Sequence, residues 1–265
     1  MESSSVEIRP TIDRSWLEEA ARVDPIAHAY ATWDLARAPD RVRFISALDG
    51  GRTVGYLLVW LGDPAAVVVH WVGTGAATRA LAGALPPRPF TGVIPPSARV
   101  WVEEARGPIV EREIRLLERP RGSGPIAPEL PSGVRRLGRD DRATIASWAE
   151  QQHDPLVAEY PSLDPDADPA WAAFDHGRPV GVARAGVRLP SVWIVGGVYV
   201  EPAARGVGWG RKLMMAAIGA AEAAGARAAL YVRADRAPAL RLYGALGFRP
   251  IDRRLWIDAG TGRAP

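Results

Sequence analysis

The chain of 265 residues is 48% hydrophobic and 24% charged, a composition that folds as one large soluble domain or two of ordinary size. It contains no cysteine, which excludes disulfides, thiolate metal sites and a cysteine nucleophile. The net charge of +3 comes from bases placed singly among acids, Lys212 being the only lysine, so no clustered basic face and no nucleic-acid partner are expected.

The first residues, MESSSVEIRP, lack a basic start followed by an apolar run, and no apolar stretch approaches the length of a membrane span. A cytoplasmic protein with no membrane contact is expected. Pattern and turn chemistry predict a strand at 6–9, helices over 15–22 and 26–37, and a hairpin of strands 41–48 and 53–60 around Asp49-Gly50-Gly51. A strand at 67–72, a helix at 78–85 and strands at 100–103 and 110–117 follow. The stretch 119–133, RPRGSGPIAPELPSG, is rich in Pro and Gly without apolar period and reads as a linker. It divides the chain into domains 1–118 and 134–265.

Beyond the linker, a strand at 134–137 leads to a helix through Gln152 that Asp140 caps. Strands 171–174 and 179–187 bracket the turn Asp175-His176-Gly177-Arg178, and 192–200 is an apolar strand. Residues 208–224 form an amphipathic helix ended by Gly225, with Leu213, Met214, Ala217, Ile218 and Ala221 on one face. A strand at 228–232, a helix at 238–246 opened by Pro238 and closed by Gly247, and a strand at 255–257 complete the chain. The order of elements is similar on both sides of the linker.

The chemistry concentrates where the strand ends at Pro202. Arg205, Gly206, Gly208 and Gly210 follow at once and lead straight into the helix. Glycines turn the backbone sharply and expose successive N–H groups, and a helix start adds unpaired donors, so the segment suits a phosphate or pyrophosphate. Arg205, Arg211 and Lys212 add positive charge. A nucleotide-triphosphate loop needs a hydroxyl after its Gly-Lys, and Leu213 stands there; a dinucleotide loop needs G-x-G-x-x-G, and the glycines fall as G-x-G-x-G. The four histidines, His28, His70, His153 and His176, show no metal-ligand spacing, and the run Asp164–Asp168 lacks the glycine and terminal Glu of a calcium loop. No metal is expected.

The segment Val198-Tyr199-Val200-Glu201-Pro202 followed by Arg205-x-x-Gly208-x-Gly210 resembles the coenzyme A loop of the GNAT acyltransferase superfamily. A second motif of that family, A-x-x-L-Y-x-x-x-G-F, stands at Ala239-Leu240-Arg241-Leu242-Tyr243-Gly244-Ala245-Leu246-Gly247-Phe248. The resemblance covers residues 134–258. It implies a mixed α/β fold with a mostly antiparallel central sheet flanked by helices, and acetyl-CoA as cosubstrate. By that resemblance the amides of Arg205, Gly206, Val207, Gly208, Trp209 and Gly210 hold the pyrophosphate, with Arg211 and Lys212 beside them. The edge of Val198, Tyr199 and Val200 pairs with the pantetheine arm, and an N–H near Val200 polarises the thioester carbonyl. A neutral amine attacks directly, and Tyr243 protonates the departing thiolate.

Two departures stand out. Arg236 occupies a position where the family often has Asn, and the neighbouring Asp235 is a substitute contact for the cofactor arm. The central strand also carries no acid before Glu201, which is expected to face solvent; the base is then Glu159, Asp154 or His153, or none if the amine arrives neutral.

In the first half, the strand at 67–72 followed by Gly73-Thr74-Gly75 has the outline of the same turn, yet nothing matches Arg205 or the tyrosine motif. It reads as a degenerate copy in a tandem protein of the glycine N-acyltransferase-like kind, its Trp33, Trp60, Trp71 and Trp101 serving as core. The expected activity is acetyl transfer to a primary amine of a small molecule, amino acid or peptide, in a monomer or homodimer. The alternative is a non-catalytic acyl-CoA sensor or interaction module.

Overall fold

The computed structural model describes residues 6–62, 67–73, 75–124, 126 and 129–260. Residues 1–5 at the amino terminus, Thr74 of the first glycine turn and Pro125, Ala127 and Pro128 of the expected linker lie outside them. The chain forms two compact units: Met1–Leu116 with Arg233–Asp235 and Asp252–Pro265, and Leu117–Val232 with Arg236–Ile251.

One order of elements, β-α-α-β-β-β-α-β-α-β, occurs twice along the chain. The first pass is β1 (Glu7–Arg9), α1 (Arg14–Val23), α2 (Ala29–Arg37), β2 (Val42–Asp49), β3 (Arg52–Leu61), β4 (Val67–Gly73), α3 (Ala76–Gly83), β5 (Phe90–Ile94), α4 (Arg99–Arg106) and β6 (Ile109–Arg119). The second is β7 (Val134–Arg136), α5 (Arg142–Gln152), α6 (Pro155–Ala158), β8 (Ala170–Asp175), β9 (Arg178–Arg188), β10 (Val192–Val200), α7 (Trp209–Ala223), β11 (Arg227–Arg233), α8 (Ala237–Ala245) and β12 (Arg249–Ala259). The fold is thus mixed α/β with a mostly antiparallel sheet in each unit, arranged as two tandem halves of the same plan.

In the first unit the strands lie in the order β1-β2-β3-β4-β5-β12, antiparallel except for β4 and β5. Gly50 and Gly51, both at positive φ, turn the β2–β3 hairpin without the cost a Cβ would bring. Val67, Val69 and Trp71, every second residue of β4, enter one core cluster with Leu81 of α3, Val102 of α4 and Leu255 and Ile257 of β12. The last strand of the chain therefore completes the core of the first unit.

One expectation for this half needs correction, and one strand was not anticipated. Residues 100–103 are helical, not a strand: Val102 is buried while Val100 is exposed, Arg99 pairs with Glu103 one turn on at 2.7 Å, and Gly107 closes the helix at φ 79°. The β-branched valines pointed the other way, and the helical face overrode them. Conversely, Phe90–Ile94 is a strand, β5, although prolines flank it on both sides.

In the second unit the order is β11-β10-β9-β8-β7. Leu213, Met214, Ala217, Ile218 and Ala221 of α7 pack with Trp171, Ala183 and Val195, and Gly225 ends the helix at φ 75°. Arg119, where the linker was expected to begin, is buried: its Nε donates to Leu246 O at 2.9 Å and its guanidinium also engages Glu222 and Gly124 O. Among the described residues no helix is long and apolar enough to cross a membrane.

Candidate active site

The site begins with a pair of parallel strands that part. β10 stays paired antiparallel with β9 as far as Val200, but pairs with β11 only through Val192–Ile194 against Arg227–Ala229. Beyond Ile194 the two diverge. A bulge between Gly196 and Tyr199, with Gly197 at φ 60°, bends β10 there. The inner edge of β10 is left with backbone groups that an extended ligand can pair with. Val198 and Val200 lie half-buried against the α7 core, whereas Tyr199 points into the opposite core, its hydroxyl donating to Gln152 Oε1 at 3.2 Å. The Tyr199 side chain is thereby turned away from the α7 side of the sheet.

β10 ends at Pro202 in a short turn, and the chain passes through Gly206 (φ 87°) and Gly208 (φ 95°) into α7. A Cβ built on either glycine meets nothing within 4 Å, so the loop faces open space, and the left-handed backbone is what demands glycine. The first intrahelical bond of α7 is Lys212 N to Gly208 O, which leaves the N–H groups of Trp209, Gly210 and Arg211 without helical acceptors at the start of the helix.

The predicted cations are not equivalent. Arg205 turns back, its Nε donating to Val200 O at 2.9 Å and so tying the strand end to the loop. Lys212 is engaged away from the loop, donating to Ser132 O at 3.0 Å and lying 4.4 Å from the Trp209 ring centroid. The Trp209 ring packs on Gly133, where a Cβ would come within 2.8 Å of it. Arg211 and Val207 are exposed. Asp235 pairs with Arg233 at the end of β11 (Nε to Oδ1, 3.0 Å) and groups with the first unit.

Glu201 does not face solvent. It is 6% exposed, with both carboxylate oxygens on Arg178 and Oε2 accepting from Trp148 Nε1 at 3.3 Å. A buried carboxylate needs such partners, and they arrive from the β8–β9 turn and from α5, where no local pattern announces them.

Tyr243, on α8, is 7% exposed and sits edge-on to Phe248. Its hydroxyl has no hydrogen-bond partner among the described residues. Burial pushes its phenol up to about 12, so the proton stays on at neutral pH. Leu242 beside it approaches Gly210 at the start of α7, which sets α8 against the loop.

One residue that sequence reasoning passed over is Tyr160. It is 3% exposed, and its hydroxyl donates to Gly197 O at 2.5 Å, pinning the bulge. Burial raises its phenol, Arg184 opposes the rise, and Glu159 and Tyr243 add to it, so both groups act on this hydroxyl. The adjacent glycines Gly196 and Gly197 inside a strand were the signal that a bulge lay there. Of the base candidates, Asp154 caps α6 by accepting from Leu156 N at 2.9 Å, and His153 is exposed at the end of α5 with φ 51°. Glu159 pairs with Arg184 at 2.7 Å.

In the first unit the equivalent turn joins β4 to α3 and carries no arginine. A Cβ on Gly73 would lie 2.8 Å from Gly55 Cα, so that glycine serves close strand packing.

The profile of the Acetyltransferase (GNAT) family matches residues 137–248. The mycothiol acetyltransferase of Thermobispora bispora is 30% identical over 251 residues, covering 79% of this chain and 81% of that protein. A protein of the same name from Streptomyces bingchenggensis is 34% identical over 175 residues, 57% of this chain and 55% of its own length. Among solved structures, a tandem GNAT protein from the clavulanic acid biosynthesis pathway superposes over 98% of this chain and 100% of its own, with a TM-score of 0.59 and 18% identity, a likeness of fold. The family profile spans the parted strands and the glycine turn, and the chain belongs to the GNAT family of acetyltransferases.

Proposed function

We propose that the chain transfers the acetyl group of acetyl-CoA to a primary amine of a small molecule by direct attack, with Tyr243 as proton donor. The observation that carries this reading is the succession of the parted edge of β10 and an open glycine turn at the start of α7. An extended arm fits the first and a pyrophosphate the second. Free N–H groups near Val200 suit the thioester oxygen, whose charge grows as the amine adds. The Tyr243 phenol, kept neutral by burial and lacking a competing partner, suits donation to the leaving sulfur.

The curated relatives are named mycothiol acetyltransferases, so an amine precursor of mycothiol is the first acceptor to try. The test is release of free CoA thiol from acetyl-CoA by the purified chain with that precursor, amino acids, small amines and short peptides. Amine-dependent release supports the reading; acetyl-CoA binding without release with any amine would favour a sensor instead.

A further inference from the structure

An amine meets neutral water mostly as its ammonium, and nitrogen must shed a proton before it has a lone pair with which to attack. The structure narrows which acid of the second unit serves this. Glu201 is taken up by Arg178 and Trp148, and Asp154 by the cap of α6. Glu159 is placed differently. Its side chain is 58% exposed, Oε2 accepts from Arg184 Nη2 at 2.7 Å, and Oε1 has no hydrogen-bond partner among the described residues.

The Arg184 stem runs along the bulge: a Cβ on Gly197 would lie 3.1 Å from Arg184 Cγ and 2.7 Å from Tyr160 Oη. The Arg184 that carries Glu159 thus lies at the same glycine as the Tyr160 hydroxyl, which itself holds the bulge. The carboxylate faces Arg184 from β9, and Tyr160 follows it on its own segment.

Resting on the acetyltransferase reading above, we propose that Glu159 receives the acceptor ammonium and takes its proton, with Arg184 as the positioning residue that holds the carboxylate at the bulge. Glu159 removes one proton from the ammonium and passes it to water. Nitrogen then forms a bond to the acetyl carbon while the carbon–sulfur bond breaks. Tyr243 protonates the leaving sulfur, and the second proton shed by nitrogen restores the phenol. One ammonium and one thioester give an amide, a thiol and one proton.

The experiment compares the full chain with its Glu159→Gln variant on benzylamine, an ammonium at neutral pH, and on trifluoroethylamine, already neutral there. The variant is expected to lose roughly 100-fold in kcat/KM on benzylamine and little on trifluoroethylamine, the loss shrinking as pH rises toward the pKa of benzylamine. Equal losses on both amines, or none on benzylamine, would overturn the proposal. Arg184→Ala should show the same selectivity, with Arg184→Lys partly restoring benzylamine turnover; a loss shared by both amines would refute the positioning role. Calorimetry of benzylammonium into CoA-saturated protein gives a second readout, expected to weaken about three- to fivefold in Glu159→Gln. Unchanged affinity, or no binding to the wild type, would also overturn it. Failure of the wild type to bind acetyl-CoA would instead sink the acetyltransferase reading beneath.

Discussion

Replacing Tyr243 by phenylalanine separates chemistry from folding, because the two respond differently. The ring and its edge contact with Phe248 survive the change. The hydroxyl that is lost has no hydrogen-bond partner among the described residues, so its removal breaks no bond within the second unit. Stability near neutral pH should hold or rise slightly, whereas loss of a positioned proton donor should slow turnover about 10²-fold or more. Alkaline pH adds an independent check. The folded phenol is raised from 10.0 to about 12, so the folded state keeps its proton where the unfolded chain releases it. Wild-type stability is therefore fully present below pH 10 and lost as pH climbs through about 12, by about 3 kcal/mol from this group; the variant lacks that loss. Steady-state thiol release and denaturant titrations at several pH values measure both effects. A variant with wild-type turnover would refute the role of Tyr243 as acid, and an unchanged alkaline slope would refute its burial.

Gly208→Asp combines strain at φ 95° with a negative charge in the loop, and acetyl-CoA binding should fall below calorimetric detection while the fold persists. Glu201→Ala leaves Trp148 and Arg178 without their carboxylate; because Arg178 is half exposed, the expected cost is about 1–3 kcal/mol by urea denaturation. Ile257→Ala, in the last strand but in the core of the first unit, should cost about 2–5 kcal/mol by the same assay, and a negligible cost would contradict the placement of β12 beside β5.

The glycine turn and the helix that carries Tyr243 were legible because local signals mark each of them. Positive φ selects Gly206 and Gly208, and the α8 motif surrounds Tyr243 within ten residues of chain. The surroundings of the turn were not legible. Glu201 was read as exposed because nothing in its neighbourhood announces Arg178 or Trp148, which reach it from other elements. Tyr160 acts through a hydroxyl on a carbonyl 37 residues away, a distance no periodicity encodes. Residues 100–103 misled through valines whose strand preference yields to packing of Val102, and Phe90–Ile94 was hidden by its prolines. A last strand at 255–257 was expected, but its pairing with residues 90–94 depends on contacts across the whole chain.

The central claim is that the loop from Arg205 to Gly210 and the parted edge of β10 hold acetyl-CoA. Calorimetric titration of acetyl-CoA into the purified chain, with Gly208→Asp as control, tests it most directly. Binding at one site per chain that the substitution abolishes is the predicted result. No binding, or binding untouched by Gly208→Asp, would contradict it.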